Sequence, residues 1–451
     1  MERFAFLRLT LVGLFVSIVS IACGQDPLLS VSGGPGKMLS WSGETMATTY
    51  SVKVFNPPSD HNALRFGVDG VLRRVNDQMS TYLKSSEISR FNESESTDWF
   101  DVSIETATVV RFAQDLSVMT DGAFDVTVGP LVNAWSFGPG ARTQTVPSQE
   151  TLDSLTRVIG YKKLEVRLES PALKKSDPGL KVDLSAIAKG HGVDRVVRYL
   201  NESGAENVFV EVGGEVGTSG DKAGQWWKVG IQVPDMIDNA TMIAHSLSSD
   251  DGSDRCMATS GDYRNYYEVD GVRYSHTIDP RTARPVQHSL ASVSVVSDSC
   301  MKADAWATAL SVLGPEDGLK VARREGLSVL VASRGEDAFE LVGTGTLAGY
   351  STTTKSKVVR ASQTTQSAAS NSSALATVAF TVLAFAMILF AMAIGVIFGR
   401  RAISGSCGGL ANTTNEDGST SCSLCSNPAD ACKELRERMA EKSTASSGSE
   451  A

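Results

Sequence analysis

Residues 183–215 read DLSAIAKGHGVDRVVRYLNESGAENVFVEVGGE, and this stretch decides the fold. Asp183-Leu-Ser-Ala-Ile-Ala-Lys-Gly190 is a run of small residues expected to join a strand to a helix. Helical spacing then runs from Gly192 to Asn201 and stops near Gly204. The segment Asn207–Val212 reads as a strand that ends at Gly213-Gly214-Glu215. Working outward, Thr49–Phe55 alternates as a strand does, and Trp226–Val233 and Ser292–Val296 are further strands. Leu64, Val68, Val71, Leu72 and Val75 predict a helix over 64–82. Ile104–Met119 is a helix ended by Asp121-Gly122, and Ala303–Leu313 is another. Strands and helices alternate without a regular βαβ rhythm. The expected class is therefore α+β with layered sheet and helices, not a doubly wound sheet.

The chain has 451 residues, 42% hydrophobic and 21% charged, which excludes wholesale disorder. A net charge of −9 argues against a nucleic-acid binder held by a basic surface. Two segments depart from this average. At the start, Arg3 and Arg8 precede the uncharged run Leu9–Ala22, which reads as a signal peptide over 1–22. Cys23 follows Ala22 directly and suits a lipidated cysteine, although Ser20 stands where a lipobox has Leu. Ordinary cleavage near Ala22 is the alternative. Later, Ala374–Phe398 carries no charge and is long enough to span a bilayer. Arg400 and Arg401 then put the tail, 399–451, in the cytoplasm by the positive-inside rule. Residues 23–351 form one exported globular block, and the Ser- and Thr-rich 352–373 reads as a flexible linker.

Seven cysteines divide the chain again. Cys256 and Cys300 lie in the exported block and can pair in an oxidising compartment. Cys407, Cys422, Cys425 and Cys432 are spaced C-x14-C-x2-C-x6-C in the tail. Four thiolates so clustered suit zinc, iron or an iron–sulfur site, and redox chemistry at Cys422-x-x-Cys425 is a further reading.

Within the block, Lys189 can meet a phosphate beside a backbone of small residues. Asp304 and Thr308 are four apart on a predicted helix and share a face, as a hard cation requires. That spacing is common. His276 is one of only five histidines and lies in Tyr-Ser-His-Thr-Ile-Asp-Pro; a surface histidine is its bland reading.

Taken in order, these segments resemble the FAD:protein FMN transferases, the ApbE flavin-transferase family. The resemblance runs from Ser42 to Val342. It is carried by GETMATTY (43–50), MSTY (79–82), SEISRFN (86–92), GAFDVTVGPLVNAW (122–135), DLSAIAKG (183–190), TSGDYR (259–264), SHTIDP (275–280) and ADAWAT (303–308). It implies a domain of layered antiparallel sheet and helices, with FAD as substrate and Mg²⁺ as cofactor. By match to the family, Met46, Tyr82, Ala123, Phe124, Asp125, Asp183, Lys189 and Ile278 line the FAD site. The Ala186 carbonyl, Asp304 and Thr308 match Mg²⁺ ligands, and His276 matches the residue that assists proton removal from the acceptor. Ala307 stands where some relatives add a carboxylate. Ala283 replaces a common Gly, a change expected to matter little.

The tail, from Ala374 to Glu441, resembles the membrane maturation factor of the Na⁺-translocating NADH:quinone reductase. The resemblance rests on Gly405-Ser-Cys407-Gly-Gly-Leu410, Cys422-Ser-Leu-Cys425 and Cys432. It implies iron delivery, and a flavin acceptor among the subunits of the same reductase. The implied location is a bacterial inner membrane, with the catalytic block periplasmic. FAD hydrolysis, or flavin binding with a structural zinc tail, is the alternative function.

Overall fold

The computed structural model describes residues 30–32, 36–138, 143–232, 242–247, 254–262, 265–335 and 338–355, together with 413–414 and 420–421. The chain divides into two units, Met1–Val358 and Val359–Ala451. In the second, the described residues are the antiparallel pair Thr413–Thr414 and Thr420–Ser421. The signal peptide 1–22, Cys23, the apolar run 374–398 and the four tail cysteines lie outside the described residues. Among the described residues no helix is long and apolar enough to cross a membrane.

The first unit is built on a ten-stranded sheet. From one edge to the other its strands are Ser30–Ser32, Met38–Thr45, Thr48–Phe55, Asn207–Val212, Glu215–Ser219, Cys256–Gly261, Leu290–Ser297, Ser328–Arg334, Ala338–Gly343 and Thr352–Lys355. Every neighbouring pair is antiparallel. The α+β expectation therefore holds, with helix and sheet mixed in one layered unit.

Both faces of the sheet centre are covered. Val329 and Val331 pack toward helix Cys300–Arg324, while Leu330 and Ala332 pack with Val229, Ile231 and Leu247 of the pair Trp227–Gln232 and Met242–Leu247. Strand period two sends successive residues to opposite faces, so a doubly covered strand needs apolar residues throughout. That is why Leu290–Ser297 is buried over its first seven positions. A bulge between Leu290 and Ser292 shifts its register.

Helix boundaries follow their caps. Asp60 Oδ1 accepts from Ala63 N and starts helix His61–Met79, which buries Leu64, Val68, Leu72, Val75 and Met79. The sequence carries this helix to Tyr82, but Ser80 turns extended. Its hydroxyl accepts from the N–H groups of Tyr82 and Leu83, which releases Tyr82 into a loop. Helix Ala188–Glu202 starts four residues earlier than its apolar spacing suggested. Helix Cys300–Arg324 is broken at Gly314 (φ 78°) before Pro315, at the end of the expected 303–313 element.

Three further expectations are corrected. The first four residues of the expected linker, Thr352–Lys355, are an edge strand paired with Ala338–Leu341. Threonine is β-branched and fits a strand, so a Thr run beside an open sheet edge pairs there. No strand precedes Asp183. Instead Asn92 replaces a neighbouring strand: its side chain donates to Val182 O and accepts from Val182 N. Cys256 and Cys300 are buried free thiols rather than a disulfide.

Candidate active site

A cavity of about 610 Å³ opens beside the junction of the sheet with helices Ala188–Glu202 and Cys300–Arg324. That is the size range of a cofactor-sized ligand. Eight of the expected site residues line it: Tyr82, Asp183, Ala186, Lys189, His276, Ile278, Asp304 and Thr308. They come from chain segments more than two hundred residues apart, so the fold assembles what the sequence only lists.

The other four expected residues do not line this cavity. Met46 lies at the hairpin turn between the second and third strands, with φ 48°, and packs against the cores under helix Ala188–Glu202. Ala123 and Phe124 are buried. The Asp125 carboxylate accepts from Thr127 N, Thr127 Oγ1 and Tyr161 N. Burial nonetheless pushes its pKa above the usual carboxylate value. Val126 O, next to Asp125, accepts from Asp183 N and fixes Asp183 in place.

The acidic end of the cavity depends on how closely two helices approach. Gly190 N donates to Asp304 Oδ2 at 2.9 Å. The Asp194 carboxylate accepts from Ser299 Oγ, Cys300 N and Met301 N, capping the helix that carries Asp304 and Thr308. Lys189 Nζ lies 2.7 Å from Glu215 Oε1 and 3.6 Å from Asp304 Oδ1. Burial alone would pull the Lys189 pKa down, but Asp304 and then Glu215 hold it above the usual lysine range. Burial pushes Glu215 above the usual carboxylate value, against the pull of Lys189.

His276 sits at another part of the wall. Its Nδ1 is 3.1 Å from Asn265 O, and a carbonyl only accepts, so Nδ1 carries the proton. Nε2 is then the basic nitrogen. The Phe137 ring meets the imidazole edge-on at 6.3 Å, and Phe137 stacks on Tyr267, which stacks on Tyr274. Burial lowers the His276 pKa below the usual histidine value, so the ring is neutral at pH 7.

The turn after His276 is tied by Arg281, whose guanidinium donates through Nε and Nη2 to both oxygens of Asp279. Ala283 there has φ 59°, a left-handed conformation that costs a non-glycine residue about 1 kcal/mol. The Gly-to-Ala departure at this position thus carries more strain than the sequence suggested. Trp135 Nε1 donates to Ala283 O and holds the turn.

Two site groups were missed in the sequence. By sequence Glu215 is the end of a glycine turn, yet its side chain is 4% exposed and it lines the cavity. It heads the strand Glu215–Ser219, whose first four positions are buried, and a charged side chain buried there needs a partner. Asn265 acts through its carbonyl and leaves no side-chain signal.

Asp304, Thr308 and the Ala186 carbonyl offer a carboxylate, a hydroxyl and a backbone oxygen. An all-oxygen donor set is the chemistry Mg²⁺ takes, so these residues fit it.

Residues 46–331 match the pattern described as the ApbE family, and residues 396–445 match that described as (Na⁺)-NQR maturation NqrM. The second match begins near the end of the apolar run. The chain is 45% identical over 323 residues to the FAD:protein FMN transferase of Vibrio cholerae, covering 71% of this chain and 95% of that one. It is 36% identical over 340 residues to the Escherichia coli K12 protein of the same name, covering 74% and 95%. The solved flavin transferase ApbE from Vibrio cholerae superposes with a TM-score of 0.63 at 43% identity, over 69% of this chain and 98% of that one. The apo flavinyl transferase ApbE of Pseudomonas stutzeri gives 0.62 at 34% identity, over 71% and 96%. With fold and relatives in agreement, the chain belongs to the ApbE family of flavin transferases and carries a (Na⁺)-NQR maturation NqrM segment after the transferase region.

Proposed function

We propose that this protein transfers FMN from FAD to a Thr or Ser hydroxyl of a partner protein. The observation that carries the mechanism is the His276 geometry: Nδ1 is committed to Asn265 O, and the ring stands neutral at the cavity wall. The acceptor hydroxyl attacks the FMN-side phosphorus of the FAD pyrophosphate. A P–O bond forms to the acceptor, the bond to the bridging oxygen breaks, and AMP leaves. The hydroxyl proton goes to His276 Nε2. Lys189 supplies fixed positive charge at the phosphate end of the cavity. Asp304, Thr308 and the Ala186 carbonyl would hold Mg²⁺, which when bound neutralises pyrophosphate charge. Tyr82, in its loop at the cavity, offers an aromatic face to the flavin.

The test is to incubate the full-length chain with FAD, Mg²⁺ and a folded reductase subunit. The expected result is a fluorescent subunit band, the FMN mass increment and one AMP per adduct. FMN and AMP released without adduct would select FAD hydrolysis instead.

The acceptor we favour is a subunit of a Na⁺-translocating NADH:quinone reductase, a reading supported by the NqrM match in the same chain. The export-type start, with Cys23 as lipid anchor, and the apolar run before Arg400 and Arg401 support a catalytic region on the periplasmic side of the inner membrane. Cys407, Cys422, Cys425 and Cys432 then bind iron in the cytoplasm for the same complex. Cells carrying Cys422→Ser are expected to keep flavinylated reductase subunits but lose reductase iron and activity. Unchanged iron and activity would reduce the tail to an anchor.

A further inference from the structure

The cavity holds a buried carboxylate, Glu215, that the reaction as described leaves idle. Glu215 opens the strand Glu215–Ser219 directly after Gly213 (φ 61°) and Gly214 (φ 108°), a turn that aims its side chain under Lys189. The Lys189 chain lies along this turn: a Cβ built at Gly213 would stand 3.3 Å from Lys189 Cδ. Glu215 Oε1 takes the ammonium at 2.7 Å. Oε2 is buried and has no hydrogen-bond partner among the described residues.

Asp304 has its two oxygens divided. Oδ2 accepts from Gly190 N, and Oδ1 faces Lys189 at the longer distance of 3.6 Å. Lys189 therefore sits between two carboxylates and is bound to Glu215. An ammonium resting directly on Asp304 Oδ1 would oppose any cation there, because like charges at contact repel strongly in a half-buried site. At 3.6 Å the ammonium is an ion-pair neighbour of Asp304 Oδ1 but not its hydrogen-bond partner, so that oxygen can still turn to a cation.

We propose that Glu215 is a positioning residue that holds Lys189 off Asp304, keeping the Asp304 carboxylate free for a divalent cation. This rests on the reading above that Asp304 is a cation ligand. Glu215 is not itself a ligand in this account; its effect passes through Lys189. Remove its charge and Asp304 becomes the anion nearest the ammonium, so Lys189 closes on Oδ1 and competes with the metal. The prediction is specific, because removing the competitor as well must undo the damage.

The test titrates Mn²⁺ into the full-length chain without FAD and reads free Mn²⁺ by electron paramagnetic resonance, with melting curves to check folding. Glu215→Gln keeps the side-chain volume and is expected to weaken Mn²⁺ binding by at least tenfold. The double variant Lys189→Met with Glu215→Gln is expected to return the affinity to within threefold of the unaltered chain. Lys189→Met alone is expected not to weaken Mn²⁺ binding, and it serves should Glu215→Gln fold poorly. A Glu215→Gln chain that binds Mn²⁺ normally overturns the proposal. So does a double variant as weak as Glu215→Gln, which would make Glu215 a ligand or a purely structural group. Loss of Mn²⁺ binding in Lys189→Met overturns it too. Asp304→Ala separates the two readings: if it leaves Mn²⁺ binding intact, the cation reading fails and the positioning role with it. If it abolishes binding while Glu215→Gln changes nothing, only the positioning role fails.

Discussion

Replacing His276 by Ala is expected to slow FMN transfer by about 100-fold to 10,000-fold, the range for loss of a positioned general base. FAD affinity is expected to change little. The imidazole meets Phe137 and Asn265 O rather than anchoring the charged end of the cavity, where Lys189 and Asp304 stand. The pH dependence gives a second readout with a definite sign. Burial lowers the His276 pKa, so its neutral, basic form persists below the ordinary histidine value of about 6.5. The acid limb that His276 contributes should lie below 6.5, where pH drops through the lowered pKa, rather than at the ordinary histidine value. In His276→Ala that acid limb should vanish along with most of the rate. Single-turnover transfer at saturating FAD, measured from pH 5 to 8, checks both. A variant that loses FAD affinity in proportion to rate would make His276 a binding residue.

Much of this site was legible in the sequence, but through ordered motifs rather than through residue type. Taken singly, the Asp304–Thr308 spacing is common and His276 reads as a surface histidine. Only the resemblance carried by the motifs in order put Asp183, Lys189, His276, Asp304 and Thr308 in one site, and all five line the cavity. Asp125 shows the limit of that logic. It also sits in a distinctive motif, yet its carboxylate caps the backbone at Thr127 and Tyr161 and so shapes the wall from behind. Sequence alone cannot separate a polar residue that faces the ligand from one that fixes the loop facing it. Glu215 failed the other way: the two glycines before it suggested a turn and nothing more. Its meaning depends on Lys189, which the fold brings from another element to 2.7 Å. The fold shows the same division. Strand and helix cores were readable from periodicity, as at Asn207–Val212 and Ile104–Met119. The early start of helix Ala188–Glu202 was not, because its first turn is set by packing against a second helix.

Gly190→Ala should be the most disruptive single-methyl change in that first turn. A Cβ at Gly190 would overlap the Cys300 carbonyl oxygen, stand 2.6 Å from its carbon and lie 2.8 Å from Asp304 Cβ. Two of those three atoms are backbone, so no side-chain rotation relieves the clash. The two helices must separate where Asp194 caps one from the other and where Gly190 N donates to Asp304 Oδ2. Overpacking of this kind costs about 1–3 kcal/mol, and a lost hydrogen bond to a carboxylate adds about 1.5–3 kcal/mol. That is a large share of the stability of an ordinary domain. Gly70→Ala is the matched control: it lies within helix His61–Met79, and its new methyl would meet nothing within 4 Å. There alanine should stabilise by about 0.5–1 kcal/mol, because glycine is the poorer helix former. Chemical denaturation of the two variants beside the unaltered chain should therefore move in opposite directions. Mn²⁺ binding should weaken in Gly190→Ala alone, since Asp304 moves with its helix. If Gly190→Ala unfolds like the unaltered chain, the close approach of these helices does not set the position of Asp304.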